Sequence, residues 1–70
     1  MIHRQIISSS AILAISYDAT TEILEVEFHD GTVYEYHKVS KGIYDDFMRA
    51  SSKGTFFNDR IRDAYTNTRL

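Results

Sequence analysis

The run LEVEF alternates apolar and acidic residues without a break, and this alternation constrains the fold more than any other feature of the chain. Leu24, Val26 and Phe28 would lie on one face of a strand, whereas Glu25 and Glu27 would lie on the other. Such alternation is typical of a strand that is buried on one face only. Apolar runs precede and follow it across short polar connections. Because short connections join antiparallel neighbours, the first half of the chain predicts a three-stranded antiparallel meander.

The turn HDG decides which face of the third strand is buried. With a two-residue loop, Asp30-Gly31, Val26 would pair with Glu35, and Tyr34 and Tyr36 would face water. With a three-residue loop, Val26 would pair with Tyr34, and both tyrosines would join the core. An unpaired buried carboxylate costs several kcal/mol, so the three-residue loop is favoured. We therefore expect Tyr34 and Tyr36 to be core residues and not an exposed platform for stacking nucleic-acid bases.

The second half of the chain has the apolar spacing of helices. Ser40 is a candidate N-cap for the run KGIYDDFMRASS, in which Ile43 and Phe47 share one face. Gly54 is predicted to end this helix in a left-handed conformation, and Thr55 to cap the next one, FFNDRIRDAY. The apolar stripe of the second helix is predicted to consist of Phe57, Ile61, Ala64 and Tyr65. The order β-β-β-α-α predicts an α+β fold with both helices packed on one sheet face.

The length and composition place the chain among small single domains. Its 70 residues fit one domain, which we assign to residues 9–70, with residues 1–8 as an N-terminal arm. There is no cysteine, so no disulfide or thiolate metal site is possible, and a reducing compartment fits. No apolar run is long enough for a membrane span or a signal peptide, so we expect a cytoplasmic protein without membrane contact.

Charge is distributed unevenly along the chain. Residues 1–37 contain six acidic residues and one basic residue, whereas residues 38–70 contain seven basic and four acidic residues. Such asymmetry points to an interaction surface. The outer sheet face would carry Glu25, Glu27 and Glu35 and would repel phosphate. The basic helical half is therefore the better surface for an anionic partner.

The helix junction SSKGTFF is the main candidate site. Gly54 permits a close backbone approach, Thr55 offers a hydroxyl group and Lys53 adds positive charge, as in anion sites. Arg60 and Arg62 flank the apolar stripe of the second helix. Alternatively, the glycine and threonine only end one helix and cap the next, and Arg60 and Arg62 pair with Asp63 and Asp59. The candidate nucleic-acid or anion-binding set is Lys53, Gly54, Thr55, Arg60 and Arg62, with Lys41 and Arg49 beside them. Asn58 is expected to hydrogen-bond locally and fix the corner.

Catalytic and metal chemistry have no pattern in this sequence. His3, His29 and His37 lack the spacing of metal ligands. No combination of nucleophile, base and oxyanion donors is recognisable. We therefore expect no enzyme activity, no metal and no cofactor.

Taken together, the segments SSAILAISYD, LEVEFHDGTVYEY, YDDFMRASSKGTFFNDRIRDAY and RL resemble the KTSC domain, a family named for the C-terminus of certain lysyl-tRNA synthetases. The most specific parts are the Y-x-Y element, Tyr34 and Tyr36, and the run S-x-G-x-[FY]-F-N-x-x-I-R-x-x-Y. This run contains Ser52, Gly54, Phe56, Phe57, Asn58, Ile61, Arg62 and Tyr65. The chain departs from the family pattern where proline is common, at Ser40, Ser51 and Thr66.

The resemblance covers residues 9–70 and implies a small, free-standing bacterial or phage protein. The function of the family is unknown. RNA binding has been suggested for it because the domain is attached to a synthetase in some proteins. We therefore expect a small non-enzymatic binding module that contacts RNA through its basic helical surface. The alternative is a protein-interaction or self-association module that uses the acidic sheet face or a sheet edge.

Overall fold

The chain forms four strands, then two consecutive helical regions, and returns to the sheet in a fifth strand. A computed structural model describes residues 2–70. The strands are β1 (Ile2–Ile6), β2 (Ile12–Asp18), β3 (Ile23–Phe28), β4 (Val33–Tyr36) and β5 (Asn67–Arg69). The helices are α1 (Lys41–Arg49) and α2 (Lys53–Phe56), and α2 continues directly into a π-helical turn, Phe57–Ile61. All strand neighbours are antiparallel, in the order β1-β2-β3-β4-β5.

The predicted register of the β3–β4 hairpin is confirmed. Val26 pairs with Tyr34, and Leu24 pairs with Tyr36. Only 3% of Tyr36 is exposed and Tyr34 is half-buried against the core, so both rings lie on the inner face. Glu25 pairs with Glu35 of β4, and both carboxylates lie on the outer face, where water solvates them. The cost of burying a carboxylate therefore predicted the correct register.

The hairpin turn has the three-residue form. The Phe28 N–H donates to the Thr32 carbonyl at 2.9 Å, and the Gly31 N–H donates to the Phe28 carbonyl at 3.0 Å. Gly31 has a φ of 92°, which favours glycine because a Cβ would be strained there. Asp30 Oδ1 accepts hydrogen bonds from the Thr32 N–H and hydroxyl, at 3.0 and 2.7 Å. The turn is thus fixed by its own side chains.

Aromatic contacts join the helices to the inner face of the sheet. The ring of Tyr17 stacks on that of Tyr44 at 4.5 Å, and the Tyr17 hydroxyl donates to the Val39 carbonyl at 2.6 Å. Tyr36 meets Phe57 edge to face at 5.5 Å. The buried core consists of Ile7, Ile12, Ile15, Tyr17, Leu24, Val26, Tyr36, Val39, Tyr44, Phe47, Phe57 and Ile61. Burial raises the pKa of the Tyr17 phenol, and the negative charges of nearby carboxylates raise it further.

The strand number predicted from the sequence is wrong, because β1 and β5 extend the sheet at its two edges. β1 pairs along its full length with β2, so residues 2–6 of the predicted N-terminal arm are part of the sheet. β5 pairs with β4 over three residues that are all exposed. These segments carry few apolar residues, and pairing with a neighbouring strand makes them extended. The coarser prediction, an α+β fold with the helices on one sheet face, is confirmed.

The helix caps differ from the prediction at one junction. Ser40 caps α1 as predicted, with its Oγ accepting from the Ile43 N–H at 3.3 Å. The next cap is Ser52 and not Thr55: its Oγ accepts from the Thr55 N–H at 3.2 Å. Gly54 therefore lies inside α2, and α1 ends instead at the extended residue Ala50. Since a serine stands three residues before the threonine, the second helix can begin earlier than predicted.

The second helical region is shorter than predicted and ends in the π-helical turn. The Arg62 N–H donates to the Phe57 carbonyl five residues earlier, at 2.8 Å. Phe57 and Ile61 are four residues apart and both face the core, as predicted. Ala64 follows the end of the π-helical turn and is exposed, so the prediction that it belongs to the apolar stripe is wrong. Tyr65 is half-buried and packs against the core. No helix in residues 2–70 is both long and apolar enough to cross a membrane.

Candidate functional site

A cleft opens where α1 ends and α2 begins, on the helical side of the molecule. Its volume is about 330 Å³. It is lined by Ala50, Ser51, Ser52, Thr55, Phe56, Asp59 and Arg60. We call it the corner cleft. Two residues of the predicted candidate set, Thr55 and Arg60, line it.

The corner cleft has an aromatic floor. The ring of Phe56 stacks on the fully buried ring of Phe47, with centroids 5.2 Å apart and planes 13° from parallel. The guanidinium of Arg60 lies 5.3 Å from the centroid of Phe56. Because Phe47 is packed in the core, it holds the half-buried Phe56 ring in place. The cleft thus combines a fixed aromatic ring with an exposed cation.

Hydroxyl and carboxylate groups line the rest of the corner cleft. The Ser52 hydroxyl donates to Thr55 Oγ1 at 2.9 Å, in addition to capping α2. The hydrogen of the Thr55 hydroxyl has no acceptor in the described part of the chain. Asp59 is exposed and forms no ion pair or side-chain hydrogen bond within residues 2–70. The cleft therefore offers one hydroxyl donor and one carboxylate acceptor to a ligand.

Lys53 has a structural role in addition to its charge. Its Nζ donates to the Ala50 carbonyl at 2.6 Å, which satisfies a carbonyl at the C-terminal end of α1. The side chain is half-buried, and it lies next to the corner cleft without lining it. Its positive charge is consequently fixed beside the cleft.

Two other predicted cations, Lys41 and Arg49, do not line the corner cleft. Lys41 pairs with Asp45 at 3.0 Å and Arg49 pairs with Asp46 at 2.9 Å, both across one turn of α1. Lys41 and Arg49 lie eight residues apart, which is about 12 Å along the helix. These exposed pairs leave little net charge on α1.

Arg62 lies outside the corner cleft, on the side of the molecule that faces β4. It is close enough to Tyr36 to oppose the pKa shift of that phenol, which burial raises. Neither of the predicted ion pairs, Asp59 with Arg62 and Arg60 with Asp63, forms in the part of the chain that the structure describes. Arg62 is exposed, and its charge is available to a partner.

Gly54 and Asn58 also behave differently from the prediction. An added Cβ at Gly54 would meet no atom within 4 Å, and the residue has no positive φ. Neither the backbone nor the packing therefore requires glycine at this position. Asn58 is exposed and makes no side-chain hydrogen bond within the described residues, so the expectation that it fixes the corner is wrong.

Sequence reasoning missed Phe56 and Asp59 as site residues. Phe56 precedes Arg60 by four residues, which is the spacing that puts an arginine over an aromatic ring on a helix. This signal was available in the sequence. The position of Asp59 in the cleft depends on how α2 packs against the end of α1, which the sequence pattern does not specify.

A second depression lies on the outer face of the sheet. Three carboxylates line it, those of Asp18, Glu25 and Glu35, together with Ser16 and Thr21, and its volume is about 260 Å³. We call it the sheet-face pocket. No group of three or more acidic or histidine side chains in the described residues has an arrangement that could hold a metal ion.

The outer sheet face also carries basic side chains, and the charge of Arg4 reduces its predicted acidity. Arg4 of β1 donates to Glu27 at 2.8 Å, and His37 Nε2 lies 3.7 Å from Glu35. Because β1 was not predicted as a strand, the contribution of Arg4 to this face was missed.

Comparison with known proteins identifies the family. The KTSC domain model matches residues 8–65, which is most of the chain. The chain belongs to the KTSC domain family. The crystal structure of a KTSC domain protein from Yersinia pestis is 37% identical, with a TM-score of 0.92, and the match covers 100% of this chain and 99% of that one.

Two kinds of relative share this KTSC domain. A lysine–tRNA ligase from Nostoc punctiforme is 41% identical over 56 residues, which are 80% of this chain but only 10% of the ligase. A protein from Tsukamurella paurometabola is 36% identical over 61 residues, which are 87% of this chain and 91% of that protein. The domain thus occurs both as a small part of a ligase and as most of a small protein.

Proposed function

We propose that this KTSC domain is a small, non-enzymatic RNA-binding module of the cytoplasm, and that it contacts RNA through the helical surface around the corner cleft. The family relationship supports this proposal, because some relatives are lysine–tRNA ligases and transfer RNA is a substrate in their name. That support is associational, so the main support comes from the cleft itself.

The observation that carries the proposal is the arrangement of Arg60 over Phe56 at the corner cleft. A planar guanidinium and an aromatic ring both stack on unpaired bases, and the guanidinium also neutralises phosphate. Lys53 adds positive charge beside the cleft, and Arg62 adds positive charge further along the second helical region. The outer sheet face, by contrast, presents carboxylates, so RNA would be directed to the helices.

The expected mode of binding is electrostatic attraction combined with stacking. Each phosphate that a cation neutralises releases counterions, and affinity for a single strand then falls with salt by a log–log slope of about 0.7 per contact. Stacking on Phe56 needs a base that is not held in a duplex. The protein should therefore prefer single-stranded or looped RNA to a regular helix.

Fluorescence anisotropy with a labelled single-stranded RNA tests this proposal. The variant Lys53→Gln/Arg62→Gln removes one cation beside the cleft and one further along the second helical region, and the matched control Arg4→Gln/Lys38→Gln removes two cations elsewhere. We expect the first variant to bind more weakly and to lower the salt slope by about 1.4, since each lost phosphate contact removes about 0.7. The control should retain the wild-type slope.

Two outcomes would overturn the proposal: wild-type protein that does not bind RNA at low salt, or two double variants that lose the same affinity. Because Lys53 also satisfies the Ala50 carbonyl, circular dichroism must show that the corner variant is folded. If it is not, Arg62→Gln alone with Lys38→Gln as its control repeats the comparison without touching that hydrogen bond.

One observation favours a second candidate function, self-association through the β1 edge of the sheet. β1 is an edge strand, and Ile6 on it is 72% exposed. An exposed strand edge can pair with a strand of another chain. Light scattering over a concentration series tests this candidate, with Ile6→Lys expected to shift a dimer toward monomer. A wild-type monomer at all concentrations would exclude it.

A further inference from the structure

The corner cleft brings together an aromatic ring, a hydroxyl group and a carboxylate that a nucleic-acid base could contact. Building on the RNA binding proposed above, we propose that it takes a single unpaired base and selects guanine through the Asp59 carboxylate. Four features of the described residues carry this inference: the size of the cleft, the Phe56 platform, the unpaired Asp59 carboxylate and the Thr55 hydroxyl.

The size of the cleft and its aromatic floor suit a flat group. About 330 Å³ is at the small end of ligand-binding cavities, enough for one base but not for a folded RNA element. Phe47 covers one face of Phe56, and Arg60 lies over the ring. Arg60 is exposed, so its side chain can move outward while a base stacks on Phe56. The guanidinium then covers the base or meets its phosphate.

The carboxylate of Asp59 determines which base fits. An ionised carboxylate only accepts hydrogen bonds, and its two oxygens match two adjacent N–H donors. Guanine has such a pair on its Watson–Crick edge, the N1–H and the 2-amino group. Adenine, cytosine and uracil each place an acceptor beside the donor on that edge, so one carboxylate oxygen would face another lone pair. The Asp59 carboxylate, in a cleft with cations around it, thus favours guanine over the other three bases.

Two features of the surroundings are consistent with this role. Asp45 and Asp46 of α1 are both engaged in ion pairs, whereas Asp59 has no partner within residues 2–70 although Arg60 is its neighbour in the chain. The Thr55 hydroxyl accepts from Ser52, and its own hydrogen remains available to donate. Guanine O6 lies next to N1–H, so a hydroxyl donor near the carboxylate complements the same edge.

Anisotropy titrations with four short uridine oligonucleotides test the inference. One contains uridine only, and the others carry a central guanosine, inosine or adenosine. We expect wild-type protein to bind the guanosine oligonucleotide about tenfold more tightly than the inosine one, because inosine lacks the 2-amino group. The adenosine and uridine oligonucleotides should bind with the weaker affinity.

Asp59→Asn and its matched control Asp63→Asn locate the selectivity. Both residues are exposed, and both variants remove one negative charge, so both should raise the affinity for the uridine oligonucleotide, which has no guanosine, to a similar extent. Only Asp59→Asn should abolish the tenfold preference for guanosine, because an amide replaces one acceptor oxygen with a donor. The ratio of affinities, and not the affinity itself, is the decisive measurement.

The outcomes separate this inference from the proposed function. Equal binding of all four oligonucleotides by wild-type protein, or a guanosine preference that survives in Asp59→Asn, would overturn guanine selection and leave RNA binding intact. Failure to bind even the uridine oligonucleotide, which tests phosphate and stacking contacts alone, would overturn both. Loss of the preference in Asp59→Asn but not in Asp63→Asn supports the inference.

Discussion

The sheet-face pocket and the corner cleft are of similar size, about 260 and 330 Å³, but they offer opposite chemistry. The pocket is formed by strand side chains and presents three carboxylates. The cleft is formed by a helix junction and presents an aromatic ring, a guanidinium, hydroxyls and one carboxylate. The size of a depression therefore says little about its ligand, whereas the charges and rings that line it decide what can bind.

The two depressions also depend on the core in different ways. The carboxylates that line the sheet-face pocket lie on the outer face of the sheet, away from the core, whereas the cleft rests on the stack of Phe47 and Phe56. A substitution in this stack should consequently affect the cleft more than the sheet-face pocket.

Replacing Phe47 with alanine should have the largest effect. The ring is fully buried and holds Phe56 in place, and such truncations cost about 3–5 kcal/mol, as much as the whole stability of a small domain. Urea denaturation should therefore show a largely unfolded protein. Phe56→Ala, at a half-buried position, should remain folded and lose about 1–3 kcal/mol of RNA affinity instead. Equal stabilities of the two variants would contradict the assignment of Phe47 to the core and of Phe56 to the binding surface.

Tyr17→Phe should destabilise the protein by about 1–3 kcal/mol at neutral pH, because the Val39 carbonyl loses its buried donor. Folding raises the pKa of Tyr17, mainly through burial and also through Glu22 and Asp45. The stabilisation that the proton provides is therefore complete below the unfolded pKa, about 10, and is lost as pH rises through the folded value.

Urea midpoints at pH 8 and at about pH 11 measure this effect of Tyr17. The difference in stability between wild type and Tyr17→Phe should narrow at the higher pH. The variant should retain some alkaline sensitivity, because burial also raises the pKa of Tyr36. A difference that is unchanged between the two pH values would show that the Tyr17 proton does not contribute in this way.

Ser52→Ala should cost about 1 kcal/mol, because Ser52 caps α2 and orients the Thr55 hydroxyl. Ser51→Ala is the matched control at a neighbouring exposed serine, and its effect should stay within about 0.5 kcal/mol. Thermal melts of both variants distinguish the two serines. If Ser51→Ala is the more damaging change, the cap has been assigned to the wrong residue.

Gly54→Ala should have the smallest effect on the free energy of unfolding, a gain of about 0.5–1 kcal/mol. The position is helical, and an added Cβ meets open space, so alanine relieves the entropic cost of glycine without a clash. Urea denaturation should show this gain. A loss of RNA affinity in a stabilised Gly54→Ala variant would indicate that the RNA backbone approaches the helix here.

The register of the β3–β4 hairpin was predictable because one free-energy cost, that of burying a carboxylate, dominates it. Burying Glu35 would cost several kcal/mol, and this cost selects the register that pairs Val26 with Tyr34. At the helix junction, serine and threonine are both effective N-caps, and the difference between them is a fraction of a kcal/mol. Sequence reasoning consequently chose Thr55 where the structure uses Ser52.

The remaining differences arise from tertiary packing. β1 and β5 are extended because β2 and β4 are beside them, and their own residues give little signal. The second helical region ends in a π-helical turn, Phe57–Ile61, which the apolar spacing of the sequence does not distinguish from an α-helical one. The cleft was predictable in part: the Phe56–Arg60 spacing is visible in the sequence, whereas the place of Asp59 beside them follows only from packing.

The order of the strands has a consequence for how this domain can be joined to other proteins. Because β1 and β5 are the outermost strands, four strand spacings separate them, or about 19 Å across the sheet. Successive antiparallel pairings make these two strands point the same way, so residue 2 and residue 69 lie at diagonally opposite corners. Segments fused before β1 and after β5 would thus leave the domain on different sides. Dyes attached at the two ends would report its folding as a change in energy transfer.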